Sequence, residues 1–216
     1  MSGYTGAVQS GGPAGVRRLG RLTISKSSVG SMDNNAYLLE AAGEALLIDA
    51  AAEPDRLLSL VGELPVRTIV TTHRHGDHWQ ALAAVAEATG AETVAHPLDA
   101  PSLPVTVTRT VSHGDTVTVG DVSLQVIHLR GHTPGSIALL YQHTDGYPHL
   151  FTGDSLFPGG VGKTWSPEDF VSLVDDVEAR LFGTLPDDTW FYPGHGSDSV
   201  LGLERPHLQE WRDRGW

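Results

Sequence analysis

Four side chains able to bind metal ions follow a strongly apolar segment, and this placement constrains the fold more than any other feature of the chain. The segment VRTIVTT, at 66–72, is typical of a buried strand, and it leads directly into His73, His75, Asp77 and His78. Because an apolar core has no use for such polar groups, they favour a metal site on the loop after the strand. His73 and His75 can reach one cation, while Asp77 and His78 turn toward a neighbouring position. The segment can therefore begin two adjacent metal sites.

The composition limits both the size of the fold and the chemistry of such a site. The chain has 216 residues, of which 40% are hydrophobic, and this suffices for one domain with its own core. It contains no cysteine, which excludes disulfides, iron–sulfur clusters, thiolate zinc sites and cysteine nucleophiles. Any metal must therefore be held by nitrogen and oxygen ligands.

Charge and hydropathy narrow the range of partners. The formal net charge is −12 and the 14 Lys and Arg residues are scattered, which argues against a nucleic-acid partner. No apolar stretch approaches the roughly 20 residues of a membrane span, and the first residues lack a signal-peptide core. We therefore expect a cytoplasmic protein that does not bind membranes.

Short runs of β-type and helical sequence alternate along the chain. Strands are predicted at 21–25, 35–40, 45–50, 66–72, 92–96, 105–111, 116–120, 121–129, 136–143, 149–154 and 189–193. Helices are predicted at 53–64, 79–90, 166–182 and 203–213. Residues 1–15 are rich in Gly and Ser and are expected to form a disordered tail, so the domain is expected to span 16–216. Two β-rich blocks flanked by helices predict an α/β fold, a four-layer αββα sandwich.

Three further side chains occur in similar contexts, each beside glycine at the end of a strand-like run. They are His132 in GHTPGS, Asp154 in FTGDSLF and His195 in YPGHG. Glycine lets the backbone approach a crowded site, and loops at strand ends commonly carry functional groups. The other six histidines, at 96, 113, 128, 143, 149 and 207, are excluded from the site.

Taken in order, HxHxDH, GHTPGS, TGD and PGH resemble the motifs of the metallo-β-lactamase superfamily, and especially of its glyoxalase II-like hydrolases. The resemblance covers roughly residues 20 to 200 and implies the αββα sandwich of that superfamily. It also implies two groups of metal ligands joined by one bridging carboxylate. The first group is His73, His75 and His132, the second is Asp77, His78 and His195, and the bridge is Asp154.

The resemblance further implies a hydrolase with two divalent metal ions as cofactors. Zinc is the favoured metal, and iron and manganese are alternatives. The implied reaction is attack on a carbonyl carbon by a hydroxide that bridges the metals, since such cations lower the pKa of water to about 7. In this scheme Asp77 is catalytic, because it orients the water as well as binding its metal.

Several activities of the superfamily compete. As a family, β-lactamases carry Cys or Ser where Asp154 stands, which argues against that activity. Members that process nucleic acids have a large inserted domain, for which this chain has no room between Asp154 and His195. Persulfide dioxygenases share the ligand motifs but use one iron, held at the positions of His73, His132 and Asp154. Ligand residues alone do not separate this alternative from a binuclear hydrolase.

The segment DSLFPGGVGKTW, at 154–165, favours a thioesterase. In glyoxalase II the matching loop ends in G-x-G-K followed by aromatic residues, and its lysine holds the glutathione carboxylate, whereas dioxygenases tend to have arginine there. Lys163 and Trp165 are therefore predicted to bind the substrate, a small anionic thiol conjugate. Only 21 residues follow His195, whereas full-length glyoxalase II has a helical C-terminal region, which argues against glutathione as the thiol. A lactone or another ester is the remaining alternative.

Overall fold

The structure, a computed structural model, describes residues 3–144 and 146–215. Its first half forms a mixed sheet whose strands are β1 (Gly15–Leu19), β2 (Leu22–Val29), β3 (Asn34–Ala41), β4 (Glu44–Ile48), β5 (Val66–Val70), β6 (Glu92–Ala95) and β7 (Arg109–Thr110). The strands lie in sequence order across the sheet. Neighbours from β1 to β4 pair antiparallel, and those from β4 to β7 pair parallel.

A second sheet follows, composed of β8 (Thr116–Val119), β9 (Val122–His128), β10 (Ile137–Tyr141), β11 (His149–Gly153), β14 (Trp190–Pro193) and β15 (Ser199–Val200). Its strand order is β15-β14-β11-β10-β9-β8, and only the β11–β14 pair is parallel among these strands of the described chain. A short hairpin, β12 (Leu156–Phe157) and β13 (Gly160–Val161), lies outside both sheets.

Helices cover the outer face of each sheet. The first pair is α1 (Pro54–Val61) and α2 (Leu82–Thr89), and the later helices are α3 (Pro167–Val177), α4 (Leu201–Glu204) and α5 (Leu208–Arg214). Leu57 of α1 and Leu82 of α2 pack on the first sheet, while Leu173 of α3 and Trp211 of α5 pack on the second. The inner faces of the sheets share a third apolar cluster. This arrangement confirms the predicted αββα sandwich.

Local chemistry accounts for several element boundaries. Ser166 caps α3 by accepting a hydrogen bond from the backbone N–H of Asp169, with Pro167 in the first turn. The predicted helix at 166–182 continues after Val177 as a π-helical turn, Glu178–Phe182. The predicted helix at 203–213 is instead α4 and α5 with a 3₁₀ turn at Arg205–His207 between them, where proline removes a backbone donor. Of the predicted strand at 105–111, only Arg109–Thr110 pairs in the sheet.

The N-terminal segment lies against the domain. The ring of Tyr4 is 6.2 Å from that of Trp190, and its hydroxyl donates a hydrogen bond to Oδ2 of Asp198 at 2.7 Å. The carbonyl of Gly6 accepts a hydrogen bond from the buried Nζ of Lys26. These contacts differ from the expectation of a disordered tail at 1–15, because a Gly/Ser-rich composition gives no sign of a distant buried charge pair that holds it. Met1 and Ser2 lie outside the described residues.

Within the part of the chain that the structure describes, no helix combines the length and the apolar character needed to cross a membrane.

Candidate metal centre

The predicted ligands lie on loops at the ends of strands. His73, His75, Asp77 and His78 follow β5, and a 3₁₀ turn at Gly76–His78 folds this loop back on itself. His73 and His78 are buried, while His75 and Asp77 are half-buried. The buried strand β5 therefore anchors a loop whose polar side chains all reach the same place.

The three remaining predicted ligands come from the second sheet. His132 lies between β9 and β10, Asp154 directly follows β11, and His195 follows β14. His132 is buried, and the other two are half-buried. Both sheets therefore contribute to one centre at the edge of the sandwich.

The seven side chains form three overlapping groups, each able to hold a metal ion. Within each group, one potential ligand atom per residue lies within 4.8 Å of the others. The groups are His73, His75 and His132; His73, His78 and Asp154; and Asp77, His78 and His195. The structure thus brings together all the ligands predicted from the sequence.

Asp154 lies between the histidines of the two predicted ligand groups. Its Oδ2 is 3.7 Å from Nε2 of His132 and 3.4 Å from Nε2 of His195. Its Oδ1 is 3.3 Å from Nε2 of His78. This is the placement expected of a bridging carboxylate, and the bridging role itself stays a prediction.

The potential ligand atoms lie close together, and two of them lack a hydrogen-bond partner among the described residues. Nδ1 of His75 lies 2.9 Å from Nε2 of His132, and Nε2 of His78 lies 3.2 Å from Nε2 of His195. The buried Nε2 of His73 and Oδ1 of Asp154 have no hydrogen-bond partner among the described residues. An unpaired buried polar atom costs about 1–3 kcal/mol, and a cation among these atoms would remove that cost.

The electrostatic environment favours the neutral, metal-binding form of His73 and His132. Burial, aided by the neighbouring His78, lowers the pKa of His73 well below its ordinary value, and burial also lowers the pKa of His132. Both imidazoles are therefore neutral near pH 7, as metal binding requires.

Asp154 and His78 show the charge that the centre carries. Burial raises the pKa of Asp154, but the nearby His78 and His195 together bring it well below its ordinary value, so the side chain is a carboxylate. Burial lowers the pKa of His78, but Asp154 and Asp49 outweigh it and raise this pKa to about 10. The carboxylates thus favour positive charge at this position, which a metal ion can supply.

A model of the metallo-beta-lactamase superfamily matches residues 29–195, a span that runs from the end of β2 to the loop after β14 and includes all seven predicted ligands. The chain belongs to this superfamily. It is therefore an enzyme of a hydrolase superfamily whose His and Asp cluster is able to bind metal.

Relatives within the metallo-beta-lactamase superfamily include glyoxalase II-like proteins. The chain is 39% identical over 155 residues to a hydroxyacylglutathione hydrolase of Polaromonas sp., in a match covering 71% of this chain and 57% of that protein. The chain thus matches little more than half the length of this relative. It is 30% identical over 182 residues to hydroxyacylglutathione hydrolase GloC of Haemophilus influenzae, covering 74% of this chain and 84% of that one.

Solved structures of the superfamily agree with the fold. The crystal structure of ETHE1 from Myxococcus xanthus superposes with a TM-score of 0.75 at 32% identity, covering 88% of this chain and 84% of that chain.

The metallo-beta-lactamase centre also depends on residues that the sequence did not single out. Asp49, just after β4, accepts hydrogen bonds from N–H and Oγ1 of Thr72, both at 2.8 Å, and its Oδ2 lies 2.9 Å from Nδ1 of His78. Oγ1 of Thr72 in turn lies 3.0 Å from Nδ1 of His73. Asp49 and Thr72 thus fix the orientation of two predicted ligands. The sequence signal that could have indicated Asp49 is its position directly after the apolar residues ALLI of the predicted strand.

Backbone carbonyls and one amide fix other ligands. Nδ1 of His132 lies 2.7 Å from the carbonyl of Lys163, and Nδ1 of His195 lies 2.9 Å from the carbonyl of Met32. Each of these histidines therefore has one nitrogen occupied and the other, Nε2, directed at the centre. Nδ2 of Asn34 donates to Oδ2 of Asp77 at 2.9 Å.

The six excluded histidines take no part in the metal-capable groups of the described residues. His128 shows why, since its ring stacks on that of His96 at 4.1 Å and its Nε2 lies 2.8 Å from the carbonyl of Pro134.

Replacing Gly194 by alanine is expected to empty the centre. A Cβ at this position would lie 2.1 Å from Oδ1 of Asp154 and 2.7 Å from Cε1 of His78, so both side chains would have to move. We expect at least a roughly 100-fold loss of kcat/KM, because small displacements of catalytic groups have effects of this size. Metal content by mass spectrometry and turnover are measured together. The control is Gly43→Ala, which strains a turn at φ 78° with open space around it and should retain metal. Wild-type metal content in Gly194→Ala would contradict the close packing of residue 194 against Asp154 and His78.

Proposed function

We propose that this protein is a hydrolase that cleaves thioesters at a centre of two divalent metal ions, with zinc as the metal. The observation that carries the proposal is the position of Asp154, whose Oδ2 lies within 3.7 Å of Nε2 of both His132 and His195. The names of the matched hydroxyacylglutathione hydrolases support a thioester as the substrate.

The proposed ligands fall into the two groups expected from the sequence. His73, His75 and His132 would hold the first metal, Asp77, His78 and His195 would hold the second, and Asp154 would be shared between them. Imidazole and carboxylate donors suit zinc, and iron or manganese fits the same donors. When bound, such cations lower the pKa of water and polarise the carbonyl group under attack.

Asp77 is the proposed catalytic residue. Its Oδ2 is held by the amide of Asn34 and lies 3.3 Å from Nε2 of His195. Its side chain keeps 19% of its surface exposed, so solvent can reach the carboxylate. There it can orient a water molecule by accepting a hydrogen bond from it, while the amide of Asn34 keeps the carboxylate from rotating.

The mouth of the centre supports an anionic thiol conjugate as the substrate. The ring of Trp165 lies 6.3 Å from that of His75, and 68% of this tryptophan is exposed. Nζ of Lys163 lies 4.4 Å from the centre of the same ring. A cavity of about 380 Å³ adjoins them, lined by Val161, Gly162, Lys163 and Thr164. A positive charge beside an aromatic wall suits a carboxylate attached to a small organic group.

Lys163→Ala is expected to raise KM for anionic thioesters about 10-fold while kcat and metal content stay near wild type. The loss of one charge-assisted hydrogen bond costs roughly 1.5 kcal/mol, and binding that is equal in ground and transition states appears in KM alone. Steady-state kinetics on matched anionic and neutral thioesters measure the effect. Arg67→Ala, which removes an exposed cation paired with Glu44, is the control. Unchanged KM for every anionic thioester would mean that Lys163 has no part in substrate binding.

A second candidate function is a persulfide dioxygenase with one iron held by His73, His132 and Asp154. The likeness to the Myxococcus xanthus ETHE1 structure gives this candidate some support. Lys163, where the dioxygenases tend to have arginine, favours the thioesterase. A lactone or ester hydrolase with the same ligands is the other alternative.

A panel of substrates tests the proposed function. Purified protein is given thioesters of several thiols, lactones and glutathione persulfide, and free thiol release and oxygen uptake are followed in parallel. We expect thiol release at the same rate with and without dissolved oxygen. Oxygen uptake with the persulfide and no thioester cleavage would replace the proposal by the second candidate.

We also predict a cytoplasmic protein without a nucleic-acid partner, in keeping with the net charge of −12.

A further inference from the structure

A buried carboxylate outside the predicted ligand set joins two of the ligand loops. Asp99 follows β6 and is 1% exposed. Its Oδ2 accepts hydrogen bonds from the backbone N–H of Arg74 at 3.0 Å and from Oγ1 of Thr133 at 2.5 Å. Its Oδ1 accepts one from the backbone N–H of Gly135 at 2.9 Å. One side chain therefore satisfies three donors on two different segments.

These donors are neighbours of the first group of ligands. Arg74 lies between His73 and His75, and Thr133 directly follows His132. The first loop follows β5 of one sheet, and the second lies between β9 and β10 of the other. Asp99 thus connects the two sheets at the point where His75 and His132 approach to 2.9 Å.

The residues that follow His132 pack closely around the carboxylate of Asp99. A Cβ on Gly135 would lie 2.8 Å from both Cγ and the backbone nitrogen of Asp99, so only glycine fits without movement. Ser136 also holds Thr133, since their hydroxyls lie 2.6 Å apart and Oγ of Ser136 accepts a hydrogen bond from the N–H of Thr133. In GHTPGS the histidine faces the metal centre, the threonine and the second glycine donate hydrogen bonds to Asp99, and the serine holds the threonine.

We propose that Asp99 is a positioning residue that sets the separation of His75 and His132 and thereby the metal affinity of the first ligand group. The inference rests on the proposed role of that group as metal ligands. No covalent connection nearby holds these histidines together, because they come from different sheets. A carboxylate bonded to both loops holds the two histidines in place before the ion arrives, so binding need not order them.

Asp99→Asn tests this with little change in shape. An amide has one acceptor oxygen, and its NH₂ group turns donors toward the N–H of Arg74 or that of Gly135, whichever way it is rotated. We expect the affinity of the first group for metal to fall about 10-fold to 100-fold, the usual effect of losing such a supporting contact. Thr133→Val removes one of the hydrogen bonds at nearly constant volume and is expected to give a smaller loss in the same direction.

The affinity is measured by competition between a chelator and Zn²⁺ or Co²⁺, without substrate. A His195→Ala background reports on the first group, and a His132→Ala background reports on the second. Asp99→Asn should weaken binding in the first background and leave the second unchanged. Asp176→Asn is the matched control, because Asp176 is also buried, at 4% exposed, and also accepts a backbone N–H, from Arg130.

Two results would overturn the inference. One is wild-type affinity of the first group in Asp99→Asn. The other is equal weakening in Asp99→Asn and Asp176→Asn, in proportion to their loss of melting temperature, because that would make Asp99 a general stabilising residue. Failure of the unsubstituted protein to bind metal would overturn the proposed function as well. Failure of thioester cleavage alone leaves the metal titrations, and therefore this inference, intact.

Discussion

Asp154→Ala is expected to abolish hydrolysis, with a fall in kcat/KM of about 1,000-fold or more, which corresponds to roughly 4 kcal/mol of transition-state stabilisation. The physical reason is that Asp154 contacts both ligand groups, with Oδ1 near His78 and Oδ2 near His132 and His195. Alanine removes a donor from each group at once. The affinity of both proposed ligand groups for metal should therefore fall together, whereas replacing His75 should lower mainly the affinity of the first group.

Metal content and turnover of Asp154→Ala are measured on protein purified without added metal. Asp176→Ala serves as the control, since Asp176 is a buried carboxylate paired with Arg130 outside the centre. It should lose stability but keep its metals and its activity. Full occupancy with wild-type turnover in Asp154→Ala would show that this side chain does not bridge.

Lys26→Met is expected to lower the free energy of unfolding by about 3–5 kcal/mol, the usual cost of breaking a buried ion pair from one side. Nζ of Lys26 lies 2.6 Å from Oδ1 of Asp198, and neither side chain is exposed to solvent. Nζ also donates to the carbonyls of Gly6 and Gly196. Burial lowers the pKa of Lys26 and raises that of Asp198, so an unpaired charge here has no solvent to stabilise it.

Urea unfolding of three variants tests the role of this pair. In the double variant Lys26→Met/Asp198→Asn no charge is left alone, and the amide oxygen still accepts from Tyr4, so part of the loss should be recovered. Arg21→Met breaks a pair with Asp121 of similar length, 2.7 Å, whose side chains are 62% and 48% exposed. It should cost less than about 1 kcal/mol. Equal effects of Lys26→Met and Arg21→Met would show that burial does not make the Lys26–Asp198 pair more important for stability than an exposed pair.

The ligands could be predicted from the sequence because the patterns that mark them are local. A buried strand followed by HxHxDH places four potential ligands on one loop. Glycine beside His132, Asp154 and His195 indicated loops whose backbone lies close to the metal centre. The fold followed from runs of apolar residues with helical stretches outside them, as the three apolar clusters of the structure confirm.

The supporting residues were missed because their partners are distant in the chain. Asp49 lies 29 residues from His78, and Lys26 lies 172 residues from Asp198. No period or motif relates such positions, so only the packing of the two sheets brings them together. The same reason applies to the N-terminal segment, whose Tyr4 is held by Asp198 at the other end of the chain.

Element boundaries differed where tertiary contacts outweigh local pattern. The run at 105–111 alternates like a strand, yet Thr106 and Thr108 bond to Thr93 through side chains and backbone before regular pairing begins at Arg109. Propensity alone does not distinguish such an irregular edge from a strand.

The most direct test of the proposed binuclear centre is a crystal structure with anomalous scattering measured on both sides of the zinc and iron absorption edges. We expect two zinc peaks, one among His73, His75 and His132 and one among Asp77, His78 and His195, with Asp154 between them. A single iron peak bound by His73, His132 and Asp154, with no metal near Asp77 and His78, would contradict this expectation.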